Sequence, residues 1–137
     1  MLIPGVTAFL GFQLIAVFNT GFSQELTHEE QMLHIAAMFL MIVSLLLLLT
    51  PAAYHRQTES GWASQGFVNL SSRLITAATP AFALGVTIDF YLLVRAVSDD
   101  RALAAVMALA ILLIASVLWY AVPRVKPLAR YLRDGDG

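Results

Sequence analysis

The chain has 137 residues, of which 59% are apolar and 12% are charged, with a mean hydropathy of +0.78 and a net charge of −1. Soluble domains contain about 45–50% apolar and about 25% charged residues, so this composition excludes an ordinary water-soluble domain. The near-zero net charge argues against a nucleic-acid partner, and the lack of cysteine excludes disulfides and thiolate metal sites.

Four apolar segments are candidates for membrane helices, which need roughly 20 mostly apolar residues. They cover residues 2–18, 33–53, 74–97 and 102–122. No Lys or Arg precedes the first segment, so we interpret it as a retained span and not as a signal peptide. The short connections predict an all-α integral membrane protein, an up-down-up-down antiparallel bundle over residues 1–123 with a short cytoplasmic tail, 124–137.

The distribution of positive charge predicts the orientation of this bundle. One side carries six cationic residues and the other carries two, Arg95 and Arg101, beside several acids. The six are Arg56, Arg73, Arg124, Lys126, Arg130 and Arg133. Because cytoplasmic loops are enriched in Lys and Arg, both termini and the 54–73 connection are expected in the cytoplasm.

Asp89 is the outstanding polar residue of the third segment, since ionisable groups inside a membrane are costly and often functional. It follows small residues spaced by four, Ala77, Ala81 and Gly85, which predict a close helix–helix contact. The candidate partners at similar depth complete a predicted intramembrane polar site with Asp89: Gln13, Asn19 and His34. This site either locks the bundle together or binds a proton or cation.

Other site chemistries have weaker support in the sequence. A bis-histidine haem site needs two imidazoles at one depth, whereas His34 and His55 are about 31 Å apart along a helix. Glu30 and His34 share a helix face, but a zinc site needs three or four ligands. Hydrolase and phosphate-loop motifs are missing from the chain. We therefore predict no catalytic residues, cofactor or metal.

The second apolar segment ends in LLLLLTPAAYHRQ, residues 45–57. Tyrosine, histidine and arginine are typical of a membrane boundary on the cytoplasmic side. Asn69 and Arg73 lie four apart on the polar side of the start of the third segment. We expect these two regions to meet, or to contact a partner or lipid headgroup, as a cytoplasmic interface: Tyr54, His55, Arg56, Asn69 and Arg73.

Several stretches resemble one family of small bacterial four-span membrane proteins catalogued as a domain of unknown function. The stretches are GFQLIAVFN (11–19), EQMLHIAAM (30–38), TPAAYHR (50–56) and NLSSRL (69–74), of which PAAYHR is the most specific. The resemblance implies a four-span architecture and a bacterial plasma membrane. It supplies no activity, substrate or catalytic residue.

Three functions are compatible with these observations. A structural or accessory component of a membrane assembly is favoured, either as a homo-oligomer or as a subunit of a larger complex in the lipid bilayer. An oligomeric transporter or a proton- or ion-conducting protein that uses Asp89 is the first alternative. A redox subunit that carries haem is the second alternative.

Overall fold

The structure, a computed structural model, describes residues 2–58 and 64–124. All elements within these residues are helical: α1 (Leu2–Val17), α2 (Thr20–Glu25), α3 (His28–Thr58), α4 (Gln65–Ser98) and α5 (Arg101–Ser116). The chain continues from α5 through a π-helical turn, Val117–Ala121, and a 3₁₀ turn, Val122–Arg124. The predicted tail therefore lies outside the described residues, except for Arg124.

The helices agree with the predicted all-α fold, although their lengths differ from the predicted spans. Within the described residues, three helices are long and apolar enough to cross a membrane, over His28–Gln57, Gln65–Ser98 and Arg101–Arg124. Helix α1 is apolar but has 16 residues, which extend over about 24 Å. The segment between α1 and α3 was predicted as a plain connection, and it contains the additional helix α2.

Helix capping explains why α3 and α4 begin before the apolar segments that they contain. Thr27 and Glu30 form a capping box: the Thr27 N–H donates to Glu30 Oε2 over 2.9 Å, and the Glu30 N–H donates to Thr27 Oγ1 over 3.4 Å. The Ser64 hydroxyl accepts a hydrogen bond from the N–H of Phe67. Among the described residues of the predicted 54–73 connection, 54–58 and 65–73 are helical and Ser64 is not.

The turn between α4 and α5 follows from two adjacent acids. Asp99 adopts a left-handed backbone conformation, with φ of 54°, and ends α4 through a bond from its N–H to the Arg95 carbonyl oxygen. The Asp100 carboxylate accepts hydrogen bonds from the N–H groups of Ala102 and Leu103, at 2.8 and 3.1 Å. Two antiparallel helices are thus joined with almost no loop.

Helices α3 and α4 form the central antiparallel pair, because contacts match residues early in α3 with residues late in α4. The buried positions of α3 are spaced alternately by four and three. The α4 residues opposite them follow the same pattern, three buried and two half-buried, and Ala83 of α4 is buried outside this pattern. We call this set the α3–α4 seam: Glu30, His34, Ala37, Met41 and Ser44 against Ala78, Phe82, Gly85, Asp89 and Leu92. Such alternation keeps a contact stripe facing one neighbour along the whole length of a helix.

The residues of the predicted small-residue stripe lie in different surroundings. Gly85 lies against α3, where an added Cβ would come within 3.0 Å of Met41 Sδ and 3.2 Å of the Ala37 carbonyl oxygen. Ala81 is half-buried, but Ala77 is exposed and its neighbour Ala78 is buried in its place. A spacing of four drifts around a helix, whereas the seam alternates four and three, so the stripe leaves the contact.

Helices α1 and α5 flank the central pair. Val6 and Leu10 of α1 form a buried cluster with Met41 of α3. Helix α5 packs mainly on α4, with Ala104 and Ala108 buried. Aromatic rings connect α1 and the turn after α5 to Phe82. The Phe9 ring lies edge-on to the Phe82 ring, and the centroids of the Trp119 and Phe82 rings are 6.3 Å apart. The site described below lies where α1, α3 and α4 meet.

Candidate functional site

The structure brings three of the four predicted polar residues together. Asp89 Oδ1 lies 3.0 Å from His34 Nδ1, and the Gln13 amide Nε2 donates to Asp89 Oδ2. His34 Nε2 lies 3.2 Å from the backbone carbonyl oxygen of Gln13. One side chain from each of α1, α3 and α4 therefore meets in a single hydrogen-bonded group, which we call the polar cluster: Gln13, His34 and Asp89.

Both ring nitrogens of His34 face oxygen atoms. Nε2 faces the Gln13 carbonyl oxygen, and Nδ1 faces Asp89 Oδ1. When Nε2 donates to the carbonyl oxygen, a second proton lies between Nδ1 and Oδ1. The pair is then neutral, either as imidazolium with carboxylate or as imidazole with carboxylic acid. Pairing of this kind suits apolar surroundings.

The polar cluster lies in one half of the bundle, away from its middle. His34 is six residues from the start of α3 and Asp89 is nine residues from the end of α4. At 1.5 Å per residue, these positions are about 9 Å and about 14 Å from the nearest helix ends.

Asn19 does not join the polar cluster. Helix α1 ends at Val17, and the Asn19 side chain accepts a hydrogen bond from the N–H of Gly21 over 3.1 Å. Asparagine commonly stabilises a turn in this way, bonding its own backbone two residues later. Asn19 therefore lies in the turn after α1 and does not bond to the other three predicted residues.

A second polar group lies one helical turn beyond the polar cluster. Arg95 Nε is 3.2 Å from Glu30 Oε1, and Arg95 also donates to the Asp99 carboxylate. The side chains of Glu30 and Arg95 are largely buried, so this ion pair lies within the contact between α3 and α4. The sequence contained a signal for this pair, since the antiparallel register that places His34 beside Asp89 brings Glu30 close to Arg95.

A cleft opens beside the polar cluster, between α1 and the end of α4. Its volume is about 650 Å³, and Gln13, His34 and Asp89 form part of its wall. We call it the α1–α4 cleft; its other main lining residues are Phe9, Phe12, Ala16, Asn19, Glu25, Leu26, Val86, Phe90, Leu93 and Ala96. The polar cluster therefore borders a mostly apolar space large enough for a small molecule.

The middle of the bundle, by contrast, is closed by tight packing. Ala37 and Met41 are fully buried, and Gly85 lets the backbones of α3 and α4 approach closely at this level. Beyond them, Ser44 is buried and donates to the Ala78 carbonyl oxygen over 3.1 Å. This packing separates the polar cluster from Ser44.

The histidines are placed unfavourably for haem or metal. Both ring nitrogens of His34 are bonded within the polar cluster, so neither is available to bind iron in this arrangement. His55 lies near the other end of α3, against an aromatic ring. Among the described residues, no three His, Asp or Glu side chains lie close enough together to share a metal ion.

The predicted cytoplasmic interface is organised around a residue that was not assigned to it. Tyr54 stacks on Phe67 with ring centroids 6.1 Å apart, and the His55 ring lies 5.1 Å from Phe67. We call these three residues the aromatic end. Asn69 accepts a hydrogen bond from Gln65 on its own helix. Arg56 and Arg73 are exposed. The two regions thus meet as predicted, but through Phe67.

Comparison with known proteins identifies a family and no activity. The model of a family of unknown function (DUF6328) matches residues 1–123, which include every helix described above. No curated protein and no solved structure matches the chain. Because the family match covers most of the chain, this protein belongs to the DUF6328 family of unknown function.

Proposed function

We propose that this protein is a non-catalytic accessory component of a membrane assembly, either as a homo-oligomer or as a subunit of a larger complex. The observation that carries this proposal is that the buried and half-buried ionisable side chains between α3 and α4 pair with one another. His34 and Asp89 join α3 to α4, and Gln13 adds α1. Glu30 and Arg95 repeat the connection one turn away.

This pairing bears on function because intramembrane ionisable groups usually mark a substrate or ion pathway. Here each pair crosses a helix–helix contact, and the closest packing lies directly beyond the polar cluster at Met41 and Gly85. Polar pairs in such positions fix which helices meet and in which register. They support a rigid bundle that serves as a building block.

The outward surface supports an association role. Only 11% of the most apolar stretch of the span Arg101–Arg124, which contains α5, is buried within the chain. Its exposed apolar side chains include Val106, Leu109, Leu113 and Ile114. In a bilayer this face contacts lipid or another membrane helix, and the proposal assigns part of it to a partner.

The membrane location belongs to the same proposal. We place the protein in a bacterial plasma membrane with four spans, with α1 as the shortest and both termini in the cytoplasm. The arginine distribution supports this orientation, since Arg56 and Arg73 flank one connection. In this orientation the aromatic end faces the cytoplasm, where the PAAYHR stretch and Phe67 are available to a partner or to lipid headgroups.

Affinity purification from native membranes tests the proposal. The tagged chain, extracted into native nanodiscs, is expected to be recovered with a stoichiometric partner or as a defined oligomer, measured by native mass spectrometry. Changing Leu113, which is 65% exposed, to tryptophan is expected to reduce that association while leaving helix content unchanged. A wild-type chain recovered alone and monomeric would refute the accessory role.

A proton- or cation-conducting oligomer is the second candidate, and the position of the polar cluster near one end of the bundle favours it. The polar groups extend from Asp89 through Arg95 to Asp99 at the end of α4. A flux assay in proteoliposomes tests this candidate, with Asp89→Asn expected to abolish any flux that the wild type shows. Flux that is unchanged in this variant would exclude conduction through Asp89.

A further inference from the structure

The α1–α4 cleft combines aromatic walls with a polar wall, and this combination restricts what fits. Phe9 and Phe12 come from α1, and Phe90 comes from α4. The volume of about 650 Å³ lies within the range of small-molecule sites, about 300–1,000 Å³. Three phenylalanine rings offer apolar area and ring faces that attract positive charge.

The charge of the cleft is negative. Its lining includes the carboxylates of Glu25 and Asp89, and among the described lining residues none is Lys or Arg. His34 is the remaining ionisable group of the lining, and any positive charge that it carries is already paired with Asp89. Glu25 then leaves the lining with at least one net negative charge. Such a cleft attracts cations and repels anions.

Hydrogen-bonding capacity points the same way. Gln13 is 3% exposed, and among the described residues its Oε1 has no hydrogen-bond partner, so an acceptor beside this wall is unused. Asp89 accepts from Gln13 and pairs with His34, and a carboxylate has about four acceptor positions. The polar wall therefore offers spare acceptors to a ligand that donates or carries positive charge.

We propose that the α1–α4 cleft binds a hydrophobic organic cation, with its positive centre near the carboxyl groups of Glu25 and Asp89 and its apolar groups among the three phenylalanine rings. Electrostatic attraction supplies the preference for positive charge, and the rings supply apolar contact and cation–π interaction. The site is distinct from the apolar outer face of α5 that is assigned to association. The proposed cation site can therefore be tested independently of the accessory role.

Two tetraphenyl ions of the same shape and opposite charge test this proposal directly. The purified full-length chain in detergent is dialysed against labelled tetraphenylphosphonium, with tetraphenylborate as the matched anion. Saturable binding of the cation is expected, without competition from the anion. Equal binding of both ions would show that the cleft is only an apolar groove and would overturn the proposal.

Variants locate the binding. Asp89→Asn is expected to weaken cation binding about tenfold, because it removes a carboxyl group that contacts the charged centre of the ligand. Leu93 lines the cleft and is 59% exposed, so Leu93→Trp is expected to block the cleft without disturbing the buried core. Glu29→Gln removes one exposed carboxylate that does not line the cleft and serves as the control.

Folding of each variant is checked by helix content and elution volume. If Asp89→Asn does not fold, Leu93→Trp and Glu25→Gln still decide the question, because both side chains belong to the cleft lining outside the polar cluster. Loss of binding in Leu93→Trp with retention in Glu29→Gln supports the site. Unchanged affinity in both Leu93→Trp and Glu25→Gln contradicts it.

Discussion

The two halves of the α3–α4 seam are built from different chemistry. Toward the start of α3, the seam is joined by His34–Asp89 and Glu30–Arg95 contacts. From the middle toward the aromatic end, it is joined by a glycine-mediated close approach, one serine hydroxyl and stacked rings. Both halves follow the same alternation of four and three residues.

This difference separates two roles that helix contacts have in a membrane. Apolar packing of this kind tolerates shifts of one helix along another, because lipid and apolar side chains are similar in polarity. The polar pairs tolerate no such shift, since sliding α4 by one heptad would leave His34 and Glu30 without their partners. We infer that the polar half sets the register and the packed half sets the distance between the helices.

The substitution His34→Leu is expected to have the largest effect on stability. It leaves the Asp89 carboxyl buried against an apolar group, which costs about 3 kcal/mol of unfolding free energy. The free energy is measured by denaturant titration in detergent micelles with circular dichroism.

The double variant His34→Leu/Asp89→Leu provides the control for this result. If the two residues act as a pair, the double variant is less destabilised than the sum of the single variants by about 1 kcal/mol or more. Additive effects would show that His34 and Asp89 contribute separately and would remove the register role assigned to them.

Gly85→Ala is the second prediction, and it addresses the packed half. The new methyl group would meet Met41, which can move, and the Ala37 carbonyl oxygen, which belongs to the backbone. We expect a loss of about 1–2 kcal/mol, because overpacking exceeds the gain in helix propensity.

The matched control is Gly11→Ala on α1, where an added Cβ has nothing within 4 Å. Here only helix propensity changes, so stability is expected to rise by about 0.5–1 kcal/mol. Opposite signs at the two glycines identify Gly85 as the point of close approach, and equal signs would contradict it.

Composition and residue type determined much of what the structure contains. Apolar length predicted α1, α3, α4 and α5, and the cost of an isolated acid in a membrane predicted that Asp89 would find polar partners. Depth along the helices could not show that the Asn19 side chain bonds the turn after α1. No partner was predicted for Arg95, because Glu30 is 65 residues away and their contact depends on the register of two helices.

Ser44→Ala is expected to cost about 1 kcal/mol or less, the usual net contribution of one buried hydrogen bond. Ser44 donates to α4 across the seam. Ser116 offers a matched control, since its hydroxyl donates to Leu112 of its own helix and is exposed. Thermal unfolding of both alanine variants in the same detergent gives the comparison. A larger effect at Ser116 would show that the seam gains nothing from this bond.

The small-residue stripe shows the limit of reading one helix at a time. Ala77, Ala81 and Gly85 share a spacing of four, yet only part of this set is buried. The buried face of α4 follows the alternation of its neighbour α3, which can be recognised only after the two helices are aligned. The sequence therefore predicts the composition of a contact better than its exact members.

Phe67→Leu at the aromatic end is expected to have the smallest effect on stability. Leucine keeps apolar contact but loses the stacking on Tyr54 and the ring contact with His55, which together contribute about 0.5 kcal/mol in a partly exposed place. Phe18→Leu, at a ring that is 86% exposed, is the control and is expected to cause no measurable change in stability.

The same two variants also test whether the aromatic end binds a partner. The measurement compares the loss of stability with the loss in recovery of the native assembly. If the aromatic end docks a partner, recovery falls far more in Phe67→Leu than stability does, since a docking surface needs the Tyr54 and His55 rings held in place. If recovery of the assembly falls only in proportion to stability in both variants, the aromatic end serves only as a contact between α3 and α4.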